Sequence, residues 1–335
     1  MSVLLHEESS KTELEDKISD VKVNTCARVA VCSRSFSQNP TLRAELLARY
    51  QNVTFNDAGL QLKGDSLVEF LSAHVKAITA LEPIDEYVLS RLPELQVIGK
   101  YGVGLDMIDM TAMRAYGKRL GWTGGVNRRS VAELVISFAI AMLHRVPAAN
   151  REILSGTWRQ HVGGQLSGRT VGIIGCGHVG KDVVKLLQPF DCPVLVNDIR
   201  DYPDFYKANA IKAVGLEQLL AESDVVTLHV PLDETTKNML NAERLALLKP
   251  TAILINAARG GMVDEVFLKM MLLNKRLEAA AFDVFAIEPP QDQELLSLPN
   301  FLATPHIGGS AYEAILAMGR AAIAGLDENC IPDFP

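Results

Sequence analysis

Long apolar runs are missing from this 335-residue chain: its longest, Val135 to Leu143, is already interrupted by Ser137. A membrane-spanning helix needs roughly 18 apolar residues, so no membrane segment is expected. Cysteine is scarce. Cys26, Cys32, Cys176, Cys192 and Cys330 are odd in number, scattered and without a C-x-x-C pair, which argues against a disulfide framework and against a zinc site. Reduced thiols and a cytoplasmic location are expected. Positive charge is also short, and the net charge of -7 gives no general attraction to phosphate backbones or anionic lipid, so no nucleic-acid partner is expected. Met1 to Asp20 has no apolar core behind a basic segment, and no export signal is expected. His6, His74, His144, His161, His178 and His229 form no H-E-x-x-H or comparable cluster, and no catalytic metal is expected.

What is present is an ordinary globular composition, 48% hydrophobic and 22% charged, over a length that suggests two domains. Behind a charged tail at residues 1–27, β-rich runs at Arg28–Val31, Val53–Phe55, Ala77–Thr79 and Gln96–Gly99 alternate with helical periodicity near Pro40–Tyr50, Asp65–His74 and Met107–Tyr116. That rhythm predicts a parallel α/β layer. Ser130-Val-Ala-Glu133 reads as a capping box that opens a helix running to Arg145, which Pro147 kinks or breaks. From Arg169 the alternation restarts, with six candidate strands at Thr170–Ile174, Pro193–Asn197, Val225–Leu228, Ala252–Ile255, Glu278–Ala281 and Phe301–Ala303. Six strands with helices between them describe a doubly wound nucleotide fold. A last helix is expected from Ser310 to Leu326.

The run Val-Gly-Ile-Ile-Gly-Cys-Gly-His-Val-Gly places Gly175, Gly177 and Gly180 in G-x-G-x-x-G, after an apolar strand and opening a helix. The three glycines permit a tight turn, close approach of a pyrophosphate, and close packing of helix on strand. His178 and Val179 are expected to offer backbone amides. Asp198, closing Val-Leu-Val-Asn-Asp, stands where an acid receives ribose hydroxyls and repels a 2′-phosphate. NAD is therefore expected over NADP, with Arg200 as the residue that tempers the preference.

Asn-Ala-Ala-Arg-Gly-Gly (256–261), Phe-Asp-Val-Phe-Ala-Ile-Glu-Pro-Pro (282–290) and Thr-Pro-His-Ile-Gly-Gly-Ser (304–310) follow the later strands, where a doubly wound sheet places its ligands. Moving a hydride to or from the C2 carbon of a hydroxy acid requires a group that trades a proton with the C2 oxygen near neutral pH, which suits His306. A carboxylate beside it, Glu288, would keep it protonated. Arg259 offers a planar charged fork for the substrate carboxylate. Asp283 is expected to orient the nicotinamide, with Ala257 and Gly308 also on the cofactor. Singly each has a structural alternative: a helix cap for His306, a surface pair for Arg259, a turn for Glu288.

These motifs make residues 97–311 resemble the D-isomer-specific 2-hydroxyacid dehydrogenases. Arg-Ser-Val-Ala-Glu-Leu-Val-Ile (129–136), Gly-Ile-Ile-Gly-Cys-Gly-His-Val-Gly (172–180) and Ser-Asp-Val-Val-Thr-Leu-His-Val-Pro (223–231) look most like the catalytic part of D-3-phosphoglycerate dehydrogenases. The resemblance implies a flavodoxin-like substrate domain at 28–127 and 307–335, a Rossmann-type NAD domain at 128–306, an active-site cleft between them, and a homodimer built around the Ser130 helix. It also implies that Gly102, Val103 and Gly104 bind the substrate carboxylate, with Lys100 and Tyr101 beside them, and that His229, Val230 and Pro231 line the adenosine. The stretch Ile78–Pro83 lacks the basic residue that phosphoglycerate enzymes often carry there. Lys100, Arg128 and Arg129 are the cations expected to meet a second anionic group, a phosphate or phosphonate, unless they are solvated or ion-paired. The substrate is thus a small 2-hydroxy or 2-oxo acid. Rival readings are a glyoxylate/hydroxypyruvate reductase and an NAD(H)-sensing corepressor-like scaffold. No appended regulatory domain for serine is expected, and neither is feedback by serine.

Overall fold

The computed structural model describes residues 25–333, in two compact units divided at Val126/Asn127 and again at Ile315/Leu316. Of the charged 1–27 segment, residues 1–24 lie outside the described residues. Residues 25–27 form a turn that buries Ala27.

The first unit is a five-stranded parallel sheet: β1 (Arg28–Val31), β2 (Asn52–Phe55), β3 (Lys76–Thr79), β4 (Val97–Lys100) and β5 (Arg119–Gly121), in the order β2-β1-β3-β4-β5. The strands are short and mostly apolar or β-branched, and several helices start on side-chain caps. Asn39, for example, accepts from Leu42 N ahead of Pro40. One face packs Ala30, Leu67, Leu71, Val88, Ile98 and Met113 into a core. The other receives the carboxyl part of the Tyr312–Gly325 helix. There the backbones touch: a Cβ on Gly121 would lie 2.0 Å from the Gly325 carbonyl oxygen, and one on Gly99 would lie 2.5 Å from that of Ala322. β5 is absent from the sequence reading, because three residues ending in glycine carry no alternation to detect.

The second unit is a seven-stranded parallel sheet: β6 (Val171–Ile174), β7 (Val194–Asn197), β8 (Lys212–Ala213), β9 (Val225–Leu228), β10 (Ile253–Asn256), β11 (Ala279–Phe282) and β12 (Phe301–Ala303), ordered β12-β11-β10-β9-β6-β7-β8. Six strands match the expectation; the seventh, β8, is a two-residue edge. Apolar clusters cover both faces, as an all-parallel sheet requires. The order reverses between β6 and β9, so the connections that follow their paired carboxyl ends part to opposite sides and leave the crevice where such sheets hold ligands.

Two expectations are corrected. The long helix is Arg128–Leu143 with Asn127 as its N-cap, so Ser130 lies inside the first turn and forms no capping box. Its hydroxyl donates instead to the Gly308 carbonyl, 2.6 Å away. The break comes at Arg145, in the left-handed region at φ 57°, and Pro147 sits harmlessly in the first turn of the next helix, Val146–Leu154. Among the described residues no single helix is long and apolar enough to cross a membrane. The second unit runs on to Ile315, and Ile307 N and Gly308 N within it are bonded to Asp283.

After the chain returns to the first unit beyond Ile315, Asp327 anchors it there. Its almost fully buried carboxylate accepts from Tyr50 Oη (2.7 Å), Arg49 Nε (2.8 Å) and Lys76 Nζ (2.6 Å). Burial alone would raise its pKa, but the bonds from Lys76 and Tyr50 and the charges of Lys76 and Arg49 bring it below the ordinary value. We expect Asp327→Ala to lower stability by on the order of 3 kcal/mol, since it strands partly buried cations. A depressed folded pKa contributes stability that is full above the unfolded value of about 3.9 and is lost as pH falls through the folded value. The Tm gap between parent and variant, measured by calorimetry, should therefore narrow on acidification; a widening gap would contradict this account.

Candidate active site

At the carboxyl end of β6 the chain turns at Gly175 with φ +94°, and a Cβ there would lie 2.7 Å from the His229 carbonyl oxygen. Gly180, in the first turn of the His178–Leu187 helix, has no room either: its Cβ would sit 2.1 Å from the Gly175 carbonyl oxygen. Gly177 differs, since nothing lies within 4 Å of its Cβ position. The helix that begins after it has no side-chain cap. Two glycines are thus used for packing, while the third opens onto space next to the uncapped amides of His178, Val179 and Gly180. This suits a pyrophosphate.

Asp198 follows β7. One oxygen accepts from Cys176 N (2.6 Å) and the other from Arg200 N (2.8 Å). The carboxylate is tied to the glycine loop and keeps lone pairs for ribose hydroxyls. His229, after β9, bonds Thr227 Oγ1 through Nε2 at 3.0 Å, and burial holds its pKa down to about 3. It stays neutral at physiological pH. Val230 approaches the Gly175 turn, its Cγ1 lying 2.8 Å from a Cβ placed there. Together these residues fit an NAD molecule, which supplies a hydride-exchanging nicotinamide when bound.

The three later motifs converge. After β10 the buried Asn256 folds the Ala257–Arg259 turn, accepting from Ala258 N (3.1 Å) and donating to Arg259 O (2.8 Å). Arg259 Nη1 donates to Ala258 O at 2.8 Å. Gly260 abuts the loop after β11, where its Cβ would fall 1.8 Å from the Phe285 carbonyl oxygen. In that loop Glu288 accepts from Phe285 N at 3.1 Å, and its other oxygen meets His306 Nδ1 at 2.9 Å. His306 itself stands at φ +56°. The buried Asp283 holds it there: Thr304 Oγ1 (2.5 Å), Ile307 N (2.7 Å) and Gly308 N (2.7 Å) all donate to its carboxylate, and His306 N donates to its carbonyl (2.9 Å). Two roles escape a reading of the sequence. Asn256 stands there only as the first letter of a motif, and nothing local directs the Ser130 hydroxyl to Gly308 rather than to a helix cap.

In the first unit, Tyr101 N donates to Thr79 O, and Gly102 turns the chain at φ +122°. Trp122 Nε1 braces the loop through Val103 O at 3.1 Å, and the Tyr101 ring packs edge-on against Phe36. Lys100 is buried. Its Nζ donates to Ala80 O and lies 3.5 Å from the Cβ position of Gly102. The Ala80 amide donates to Glu82 at 2.6 Å. In the second unit, Arg129 pairs with the buried Asp182 through two contacts of 3.0 and 3.1 Å, while Arg128 lies in the first helical turn.

With a ribose seated at Asp198, a 2′-phosphate would be forced against the carboxylate. We expect NADH to bind at least about tenfold tighter than NADPH, roughly 1.4 kcal/mol, and Asp198→Ala to erase most of that difference. Fluorescence titration measures both. Equal affinities in the parent protein would contradict the assignment.

Residues 136–308 match the family model for the NAD binding domain of D-isomer specific 2-hydroxyacid dehydrogenases. The chain is 34% identical over 265 residues to D-3-phosphoglycerate dehydrogenase of Methanocaldococcus jannaschii, an alignment covering 77% of this chain and 50% of that relative. It thus spans half the length of that protein. It is 33% identical over 268 residues to hydroxypyruvate reductase of Thermotoga maritima, covering 77% and 85%. Among solved structures it is similar to the TT0316 protein from Thermus thermophilus, with 32% identity and a TM-score of 0.79 over 89% of this chain and 94% of the other. On its glycine loop, its joined Arg259, Glu288 and His306 segments, and these matches, the chain belongs to the D-isomer specific 2-hydroxyacid dehydrogenase family.

Proposed function

We propose that this protein is an NAD-dependent reductase of small 2-oxo acids, equivalently a D-2-hydroxyacid dehydrogenase. The observation that carries the reading is the 2.9 Å contact between His306 Nδ1 and Glu288, made in a loop that also touches the Arg259 turn. With Nδ1 held by the carboxylate, Nε2 is the nitrogen left to trade a proton with the C2 oxygen. In reduction, His306 gives that proton as C2 accepts a hydride, and regains one from solvent. Arg259 grips the substrate carboxylate and polarises the C2 oxygen. Asp283 Oδ2 accepts from Gly308 N and keeps a lone pair for the carboxamide of the nicotinamide.

The surroundings of the named cations support a singly anionic substrate. Lys100 is bound to Ala80 O beside Gly102, so its charge reinforces the carboxylate loop rather than a distal group. Glu82, two residues beyond Ala80, would repel a phosphate, and Arg129 is neutralised by Asp182. A phosphate- or phosphonate-bearing acid is the competing reading, and the T. maritima relative's name, hydroxypyruvate reductase, agrees with the simpler one. We expect NADH oxidation against a panel of 2-oxo acids to favour hydroxypyruvate, glyoxylate or pyruvate over phosphorylated counterparts by about tenfold or more in kcat/KM. In the same assay Arg259→Ala should remove most turnover while leaving NADH binding nearly intact. A preference for phosphorylated acids would reverse the substrate assignment, and NADH binding without turnover of any acid would favour the scaffold reading.

We also propose a homodimer. Past the long Arg128–Leu143 helix, Ile153 (56% exposed), Leu154 (77%), Trp158 (85%) and Val162 (88%) lie open to water, a density of apolar surface that marks an interface. Trp158→Asp should convert a dimer to a monomer by light scattering; a parent that is already monomeric would contradict the proposal.

A further inference from the structure

The Glu265–Leu273 helix begins shortly after the Arg259 motif, with Asp264 as its N-cap accepting from Phe267 N. Glu265, in its first turn, reaches across to the loop after β11 and accepts from Ala286 N at 2.9 Å. The peptide joining Phe285 to Ala286 is therefore held at both ends. Its N–H is on Glu265, and its carbonyl oxygen lies against Gly260, next to Arg259, so closely that no side chain fits there. One residue earlier, the Phe285 amide donates to Glu288 Oε1, whose partner oxygen holds His306. A continuous path thus runs from Glu265 through the two peptides that flank Phe285 to the acid/base pair.

We infer that Glu265 is a positioning residue, keeping the Glu288–His306 pair in register with Arg259 by clamping the Ala286 amide. The inference rests on the dehydrogenase reading above. Its effect passes through the backbone of the loop it braces. Its position is costly. Burial raises its pKa, the Ala286 bond opposes that, and the nearby Asp292 charge adds to the rise. Lys269, one turn on, is drawn off by Asp292 (2.8 Å) and Glu294 (2.9 Å). The contact that holds the carboxylate is the amide of that same loop. A small error in placing an acid/base group is expensive for catalysis, with about 1 Å costing on the order of a hundredfold.

The test compares Glu265→Ala and Glu265→Gln in the full-length protein. Glutamine keeps an oxygen that accepts from Ala286 N at the same reach; alanine does not. We expect Glu265→Ala to lower kcat by about tenfold or more, with KM for the oxo acid and Kd for NADH within about twofold, and Glu265→Gln to stay within about threefold of the parent. Hydrogen exchange followed by mass spectrometry should show residues 284–288 exchanging faster in the alanine variant alone. A glutamine variant as impaired as alanine, an alanine variant with the parent kcat, or loss of protection throughout residues 127–315 would each overturn the inference. If the parent reduces no 2-oxo acid, the dehydrogenase reading falls, and exchange at 284–288 still decides whether Glu265 holds the loop.

Discussion

The turn that carries His306 rests on a buried carboxylate. Asp283 lies just past β11 with almost no access to water, and a charge in such a place is tolerable only when hydrogen-bonded. It collects the Thr304 hydroxyl and the Ile307 and Gly308 amides, three donors from a five-residue span. Meeting that demand wraps residues 304–308 around the carboxylate and leaves His306 in the left-handed region, a conformation that a non-glycine residue adopts only when its surroundings impose it. The Ser130 hydroxyl closes the same turn from the long helix through the Gly308 carbonyl. Histidine placement, and with it the contact to Glu288, follows from satisfying one buried anion.

The second constraint is backbone contact. At Gly175, Gly180 and Gly260 a Cβ would collide with a carbonyl oxygen, so these residues let neighbouring main chains touch. At Gly177 the same absence of a side chain faces open space. The distinction separates glycines that pack from the one that leaves room for a ligand, although all are written with the same letter. In the first unit, Gly99 and Gly121 serve packing alone, letting the carboxyl part of the Tyr312–Gly325 helix lie directly on β4 and β5.

Much of this is legible in the sequence because the signals are local. Apolar runs bounded by turn residues locate every strand except β5 and β8 to within a residue or so at each end, and the spacing of Gly175, Gly177, Gly180 and Asp198 encodes a strand, a turn and a helix in order. β5 and β8 are not legible, since two or three residues are too few to show a period and each is held by its neighbour rather than by its own pattern. The capping box expected at Ser130 fails for a related reason. The same four residues serve as a cap or as the inside of a first turn, and the choice depends on what the hydroxyl finds nearby, here a carbonyl far away in sequence.

The sequence by itself determined the α/β class and the cofactor loop, and it singled out His306, Glu288 and Arg259 as candidates, because those readings depend on residue chemistry and on short, ordered spacings. Only the tertiary structure decided which groups work together. Lys100, weighed in the sequence between a distal anion and a local pairing, lies against Ala80 and Gly102; Arg129 pairs with Asp182; and Glu265, silent in the sequence, reaches the loop of Glu288. The physical reason is that charge and hydrogen bonding act through space over a few ångströms, and which partners come that close is set by packing between strand ends that lie far apart along the chain.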